Sequence, residues 1–228
     1  MHAAAIIAAS GQGRRMGSPV RKQYLMLDGL PVLARTVNAF LEHGGISQVV
    51  LVVPQGETGQ VRKILKPFLS LDSLTLVEGG RRRQDSVFNG LQAVDRVAEL
   101  ICIHDGARPL ITVKLIAAVL EAAVQWGAAV PVVPVTDTLK EITVDGLIKR
   151  TISRDCLHRA QTPQVFRQEL IREAYRKAAL LGIEATDDAY LLELLGQTVF
   201  TVAGDYANIK ITCPEDLTVA AALLKEGR

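Results

Sequence analysis

Short runs of apolar residues recur along the chain, and each run ends at polar or turn-forming positions. The runs are rich in valine, isoleucine, leucine and alanine, which is typical of strands covered on both faces of a parallel sheet. Longer segments lie between them, with apolar residues three and four positions apart, as in amphipathic helices. The predicted strands cover residues 3–9, 49–53, 74–77, 100–103, 128–133 and 198–202, and the predicted helices include residues 31–43, 86–97, 112–126 and 167–181.

This alternation of strands and helices predicts an α/β fold with a mostly parallel central sheet and right-handed crossovers. The chain has 228 residues, of which 49% are hydrophobic, so it is long enough to bury a large core. We therefore expect a single domain that spans residues 1–228.

One segment, residues 135–165, departs from the alternation. It contains two stretches of alternating polar and apolar side chains on either side of Asp145-Gly146, a dipeptide typical of hairpin turns. We expect this segment to form a β-arm that projects from the sheet. Because it lacks an obvious apolar core of its own, we expect it to pack on a partner subunit.

Charge and cysteine content narrow the classes of function. The formal net charge is +2, which gives no broad attraction to nucleic acid or membranes. No apolar run is long enough to span a bilayer, and the short apolar N-terminus lacks the basic region and cleavage site of a signal peptide. The three cysteines lie far apart, without the spacing of a zinc site. We expect a cytoplasmic protein that binds neither nucleic acid nor membranes.

A glycine-rich loop, AASGQGRRMG at residues 8–17, follows the first predicted strand. Such loops commonly bind phosphate through backbone N–H groups, because glycine adopts the required dihedral angles. Met16 stands in place of the third glycine of a dinucleotide-binding loop, and the lysine and hydroxyl residue of a P-loop are absent. Arg14, Arg15 and Lys22 instead suit a polyphosphate whose transferring group gains charge as its bond breaks. We therefore predict a triphosphate at this loop.

Eight short motifs follow one another along the chain. They are A-S-G-x-G-R-R-M-G at residues 9–17, K-Q-Y-L at 22–25, G-G-x-x-R-x-x-S-V at 79–87, H-D-G-A-R-P at 104–109, D-T-L-K at 137–140, T-P-Q at 162–164, T-D-D at 186–188 and N-I-K-I-T-x-P-E-D at 208–216. Their identity and order resemble the 2-C-methyl-D-erythritol 4-phosphate cytidylyltransferase family. The resemblance implies a Rossmann-like nucleotidyltransferase fold, a homodimer formed through the β-arm, and a divalent metal, usually Mg²⁺. It also implies that the phosphate of 2-C-methyl-D-erythritol 4-phosphate attacks the α-phosphate of CTP and releases pyrophosphate, in the non-mevalonate route to isoprenoid precursors.

The resemblance assigns roles to individual residues. Arg15 and Lys22 match residues that stabilise the pentacoordinate α-phosphate, whereas Arg154 and Lys210 match residues that position the attacking phosphate, with the arm reaching the neighbouring subunit's site. Asp105, at the carboxyl end of a predicted strand, is the expected metal ligand. The other expected substrate-binding residues are Ala9, Ser10, Gly11, Gly13, Arg14, Gly80, Arg83, Ser86, Arg108 and Thr138. A serine at position 86 also suits a helix N-cap.

Two positions depart from the family pattern. Arg21 stands where the family usually has proline, which predicts either a looser loop or an added charge. Ala207 stands where a second metal-binding carboxylate is sometimes assigned, and Asp205 lies two positions earlier. The sequence thus supplies Asp105 as a metal ligand and does not supply the second carboxylate at its usual place.

Three other functions stay open. A ribitol-5-phosphate cytidylyltransferase shares nearly all these motifs and differs mainly around the acceptor. A nucleotide-binding homologue that has lost catalysis is opposed by the joint presence of the candidate catalytic and metal-binding residues. A sugar-nucleotide glycosyltransferase usually carries a D-x-D metal motif, which His104-Asp105-Gly106 lacks.

Overall fold

The computed structural model describes residues 2–11, 13 and 20–227. Arg14 and Arg15, two of the predicted site residues, lie outside these ranges. The described strands are β1 (Ala3–Ala8), β2 (Met26–Leu27), β3 (Leu30–Pro31), β4 (Ile46–Val53), β5 (Leu74–Glu78), β6 (Leu100–Asp105), β7 (Ala128–Pro134), β8 (Leu139–Ile142), β9 (Ile148–Ile152), β10 (His158–Ala160), β11 (Gln164–Arg167) and β12 (Phe200–Ala203). The described α-helices are α1 (Val32–Leu41), α2 (Thr58–Leu65), α3 (Arg83–Gln92), α4 (Val113–Trp126), α5 (Gln168–Leu181), α6 (Asp188–Glu193) and α7 (Pro214–Lys225), with 3₁₀ helices at Lys22–Tyr24 and Leu71–Ser73.

The central sheet has the strand order β10-β7-β11-β6-β1-β4-β5, and β12 pairs with β7. The pairs β6–β1, β1–β4, β4–β5 and β12–β7 are parallel, whereas β11 runs antiparallel to both β6 and β7, and β10 runs antiparallel to β7. The predicted α/β fold with a mostly parallel sheet is therefore confirmed. Among the described helices, none has both the length and the hydrophobicity needed to cross a bilayer.

The first strand shows why its sequence is almost wholly apolar. Alternate side chains of a strand point to opposite faces of the sheet. In β1, Ala3, Ala5 and Ile7 belong to one buried cluster, and Ala4 and Ile6 belong to another. Helices cover both faces, with α1 and α4 contributing to the first cluster and α3, α5 and α6 to the second. Both faces of the strand therefore need apolar residues.

Helix α3 begins at Arg83, three residues before the predicted start. The carboxylate of Asp85 accepts a hydrogen bond of 3.1 Å from the backbone N–H of Arg82, which caps the first turn. The backbone N–H of Ser86 already donates to the carbonyl oxygen of Arg82 inside the helix. The prediction of Ser86 as N-cap is therefore wrong, and α3 also ends at Gln92 rather than at residue 97.

The β-arm is shorter than predicted. Strands β8 and β9 form a separate two-stranded antiparallel sheet around the turn at Asp145-Gly146, where Gly146 has a φ of +83°. Residues 158–160 and 164–167, however, pair with the main sheet. Val165 and Phe166 are fully buried there, which explains why this part of the chain does not project. The prediction that the arm extends to residue 165 is wrong, and the hairpin spans residues 139–152.

Candidate active site

A cavity of about 710 Å³ opens where β1, β4, β5 and β6 end. The carboxyl ends of parallel strands are the usual ligand site of an open α/β sheet. Its walls include the loop after each of these strands together with Lys22 and Lys210. The predicted site residues that line it are Ala9, Ser10, Gly11, Gly13, Lys22, Gly80, Arg83, Ser86, Asp105 and Lys210. The fold therefore brings together residues that lie as far as 201 positions apart in the chain.

Hydrogen bonds join the loop after β1 to the loop after β5. Ser86 Oγ accepts from Ser10 Oγ at 2.8 Å and from the Gly80 N–H at 3.0 Å, and it donates to the Arg82 carbonyl oxygen at 2.9 Å. A Cβ atom at Gly79 would lie only 2.4 Å from Ser10 Cβ, so the close approach of the two loops requires glycine. Ser86 therefore fixes the shape of the cavity floor, a role that its assignment as a substrate contact did not include.

The segment after the glycine-rich loop is tied back onto it. Gln23, which is 2% exposed, donates hydrogen bonds to the carbonyl oxygens of Ala9 at 2.7 Å and Gly11 at 3.3 Å. Lys22 Nζ donates to the Ile211 carbonyl oxygen at 2.7 Å, close to the segment that carries Lys210. Gln23 was missed as a site residue, although it lies within one of the quoted motifs.

Arg21 resolves one of the two departures from the family pattern. Its Nε lies 3.1 and 3.0 Å from the two carboxylate oxygens of Glu57, and its Nη2 also bonds Oε1. The added charge is therefore paired with Glu57, a residue just before α2. The φ of Arg21 is −62°, within the range that a proline ring would fix, and the ion pair links this residue to the start of α2.

Three cations surround the carboxylate of Asp105, and we call these four side chains the Asp105 cluster. Lys210 Nζ lies 2.8 Å from Oδ2, Arg83 Nε lies 3.3 Å from Oδ1, and Arg108 Nε lies 3.5 Å from Oδ2. Asp105 ends β6, and Arg83 begins α3. Arg108 lies in the loop after β6, and Lys210 lies in the loop before α7. Arg108 does not line the cavity, but its Nη1 donates to the Asn208 carbonyl oxygen at 2.7 Å.

Electrostatics favour the ionised form of Asp105. Burial alone would raise the pKa of this carboxyl group, but the charges of Arg83, Lys210 and Arg108 together lower the pKa below its ordinary value. Burial, in contrast, lowers the pKa of Arg108, and the nearby Asp105 opposes that shift. The cluster therefore holds one carboxylate and an excess of positive charge at the cavity wall, which suits a polyanionic ligand.

His104 supports the cluster without touching the cavity. Its Nδ1 lies 3.0 Å from Thr162 Oγ1, which itself accepts from the Asp105 N–H at 3.1 Å, and its Nε2 lies 3.3 Å from the Arg108 carbonyl oxygen. Burial lowers the pKa of His104 to about 3, so the ring is neutral. Since a carbonyl oxygen can only accept, Nε2 carries the proton. The structure thus gives His104 and Thr162 a supporting position, and Thr162 was missed by sequence reasoning.

The two predicted residues of the arm lie elsewhere. Thr138 and Arg154 are exposed and do not line the cavity of their own chain. The guanidinium group of Arg154 donates to the Thr136 carbonyl oxygen at the base of the hairpin. Apolar side chains on the hairpin are also exposed, and these are Ile142, Val144, Leu147 and Ile148.

The residues present fit a single divalent cation, for which a bound substrate and water would supply most of the ligands. Among residues 2–11, 13 and 20–227, no group of three or more His, Cys, Asp or Glu side chains is placed to hold a metal. Asp205 Oδ1 accepts from the Ala207 N–H at 2.8 Å, so this carboxylate caps its own turn. Mg²⁺ commonly binds one or two carboxylates and completes its shell with phosphate oxygens and water. Asp105 matches that requirement.

The fold and the site together define an α/β protein with a cavity at the carboxyl ends of its parallel strands, lined by part of a glycine-rich loop, a carboxylate and several cations. A model of the 2-C-methyl-D-erythritol 4-phosphate cytidylyltransferase family matches residues 3–226. The chain therefore belongs to this family, and the resemblance of its motifs is confirmed.

Individual relatives agree over nearly the whole chain. The 2-C-methyl-D-erythritol 4-phosphate cytidylyltransferase of Pelotomaculum thermopropionicum is 48% identical over 99% of this chain and 96% of its own length. That of Syntrophus aciditrophicus is 46% identical, over 98% of this chain and 97% of its own length. The crystal structure of the enzyme from Thermus thermophilus superimposes with a TM-score of 0.83 at 36% identity, covering 99% of this chain and all of that one.

Proposed function

We propose that this protein transfers CMP from CTP to 2-C-methyl-D-erythritol 4-phosphate and releases pyrophosphate. The observation that carries the proposal is the Asp105 cluster, in which Lys210 and Arg83 line the same cavity as the glycine-rich loop and Lys22. Relatives that are 44–48% identical are described as enzymes of this activity, which favours it over the alternatives left open by the sequence.

The reaction needs positioning and charge neutralisation more than proton transfer. An oxygen of the acceptor phosphate, already ionised at neutral pH, forms a bond to the α-phosphorus of CTP. The bond from that phosphorus to the oxygen bridging to the β-phosphate breaks, and pyrophosphate leaves with the electron pair. Because the nucleophile is an anion, no general base is required. The protein therefore has to bring two polyanions together and stabilise the charge that moves between them.

Within this scheme, the backbone at Ala9, Ser10, Gly11 and Gly13 contacts the triphosphate, and Lys22 stabilises the α-phosphate in the transition state. Arg15, which lies outside the described residues, is proposed to act with Lys22. Asp105 is proposed to hold a divalent cation, usually Mg²⁺, which when bound supplies further charge neutralisation on the triphosphate. Lys210, 2.8 Å from Asp105, then positions the acceptor phosphate next to the nucleotide.

The arm is proposed to complete the acceptor side of a second copy's site in a homodimer. Thr138 and Arg154 lie outside the cavity of their own chain, and exposed apolar side chains follow the hairpin between them. An arginine matches a phosphate through forked hydrogen bonds, so Arg154 of one subunit suits the acceptor phosphate of the other.

A pyrophosphate-release assay tests the proposed acceptor. CTP and Mg²⁺ are supplied with either 2-C-methyl-D-erythritol 4-phosphate or ribitol 5-phosphate, and we expect turnover with the first. Turnover with ribitol 5-phosphate alone would instead support the alternative transferase. CTP binding without turnover of either acceptor would support a catalytically silent homologue.

A further inference from the structure

A chain of polar contacts leads from the cavity wall into the interior behind it. Arg83 Nε lies 3.3 Å from Asp105 Oδ1, and Arg83 Nη2 lies 2.7 Å from Asp188 Oδ2. The other oxygen of Asp188 accepts a hydrogen bond of 2.5 Å from Tyr175 Oη. Arg83 thus contacts two carboxylates at once, one at the cavity and one in the interior.

Asp188 is fixed on all sides. It is 1% exposed, and Tyr175 is 2% exposed. The Asp188 N–H donates to Gln164 Oε1 at 3.1 Å, which holds the start of α6 against β11. Burying a carboxylate is costly unless a cation and hydrogen-bond donors satisfy it, and Arg83 and Tyr175 satisfy one oxygen each. The interior position of Asp188 is therefore stable only with Arg83 in its observed orientation.

The contact with Asp188 decides how Arg83 meets Asp105. A guanidinium group pairs best with a carboxylate through two parallel N–H donors. If Asp188 did not bind Nη2, the side chain of Arg83 would be free to turn and pair with Asp105 in that forked manner, or to extend into the cavity. With Asp188 present, Arg83 reaches Asp105 through Nε and lines the same cavity as the glycine-rich loop.

We propose that Asp188, held by Tyr175, is a positioning residue that orients Arg83 for the nucleotide. This inference rests on the proposed function, because it takes CTP as the ligand of the cavity. A cation already oriented in the free protein does not have to be ordered when the ligand binds, so preorganisation improves affinity. Burial is the main factor that raises the pKa of Tyr175, so its hydroxyl stays protonated and keeps donating to Asp188.

Calorimetric titration of the full chain with CTP in the presence of Mg²⁺ tests the inference. We expect Asp188→Asn to weaken CTP binding about 10-fold, and Tyr175→Phe, which loses one donor, about 3-fold. In both variants kcat at saturating CTP should change much less than KM, because the residues act on binding.

A double-mutant cycle separates positioning from a general structural effect. In an Arg83→Gln background, adding Asp188→Asn should change the dissociation constant for CTP less than about 2-fold, because both changes act through one cation. Equal effects of Asp188→Asn in the two backgrounds would overturn the inference. If Asp188→Asn fails to fold, Tyr175→Phe in the same two backgrounds makes the same comparison.

Asp187→Asn is the matched control. Asp187 accepts from the Tyr190 N–H at 3.0 Å and from Gln164 Nε2 at 2.8 Å, and asparagine can keep such a cap. We expect its affinity for CTP to equal that of the wild type, and a loss as large as that of Asp188→Asn would contradict the inference.

A wild-type chain that neither binds CTP nor turns it over would refute the proposed function itself. Wild-type binding that the Asp188 and Tyr175 variants leave unchanged would refute only the inference.

Discussion

The Asp105 cluster and the two ends of the β8–β9 hairpin place predicted site residues in opposite surroundings. In the cluster, the Asp105 side chain is 9% exposed and contacts the nearby Arg108 and two cations from distant segments of the same chain. On the hairpin, Val144 and Leu147 are exposed, and the predicted site residues Thr138 and Arg154, which flank the hairpin, lie away from the cavity. Under the proposed function, one chain supplies the nucleotide side of the site together with Lys210, and Arg154 from a second copy completes the acceptor side.

Among changes in the Asp105 cluster, removing the charge of Asp105 should lower activity the most. In Asp105→Asn, the three surrounding cations lose their common partner and the metal loses its proposed ligand. We expect kcat/KM to fall by about 10³-fold or more, as for other losses of several kcal/mol of transition-state charge stabilisation. Steady-state kinetics with CTP measures the loss, and urea unfolding of the same variant measures the cost to stability. Activity within 10-fold of the wild type would remove Asp105 from the mechanism.

Lys22→Ala tests a cation that lies on the nucleotide side but outside the cluster. We expect kcat to fall by about 10²-fold, with a much smaller change in the dissociation constant for CTP, because the lysine acts mainly on charge that shifts during transfer. Initial-rate assays measure kcat, and calorimetric titration measures the dissociation constant for CTP. Equal losses in kcat and in affinity would place Lys22 in ground-state binding.

A charge placed among the exposed apolar side chains of the β8–β9 hairpin tests whether a second copy packs there. Leu147, which is 68% exposed, lies just after the turn. If a second copy covers this face, Leu147→Asp should convert the dimer to monomers and lower activity about 10-fold at assay concentrations. Sedimentation velocity measures the change in mass. Lys149→Gln, on a side chain that pairs with Glu141, is the control for a change of one charge that leaves the exposed apolar side chains in place. An unchanged mass for Leu147→Asp would place the subunit contact elsewhere.

The smallest effect is expected at Arg21, at the border of the nucleotide side. Its ion pair with Glu57 is partly exposed, with side chains that are 25% and 23% accessible. We expect Arg21→Gln to lower the free energy of unfolding by about 1 kcal/mol, as measured for well-formed but partly solvated pairs. Urea unfolding of Arg21→Gln, Glu57→Gln and the double variant measures the coupling. A coupling near zero would show that the pair does not hold this segment.

The sequence predicted the parts of the molecule that depend on local pattern. β1 and β6 were found because both of their faces are buried, and Asp105 was singled out because it follows a predicted strand within the H-D-G-A-R-P motif. The start of α3 was misplaced because its cap uses Asp85 and Arg82, whereas Ser86 is the conventional capping residue. Residues 158–165 were assigned to the arm because a strand's pairing partner does not follow from its own sequence.

Long-range contacts explain the missed residues of the site. Arg83 and Asp188 are 105 positions apart, and they meet only because α5 and α6 pack on the same face of the sheet as α3. Tyr175 carries no motif signal, since a tyrosine on an amphipathic helix is also an ordinary core residue. Gln23, Thr162 and Asp188 do lie within quoted motifs, but the motifs alone did not show what they contact.

Subunit complementation most directly tests the proposal that the arm of one subunit completes the acceptor side of its neighbour's site. Lys22→Ala inactivates the nucleotide side and Arg154→Ala inactivates the acceptor side. If the arm serves the neighbouring subunit, each mixed dimer holds one intact site and one doubly altered site. Because random mixing of equal amounts makes half of the dimers mixed, the mixture should recover about a quarter of wild-type activity. A mixture no more active than the average of its two components would contradict the account.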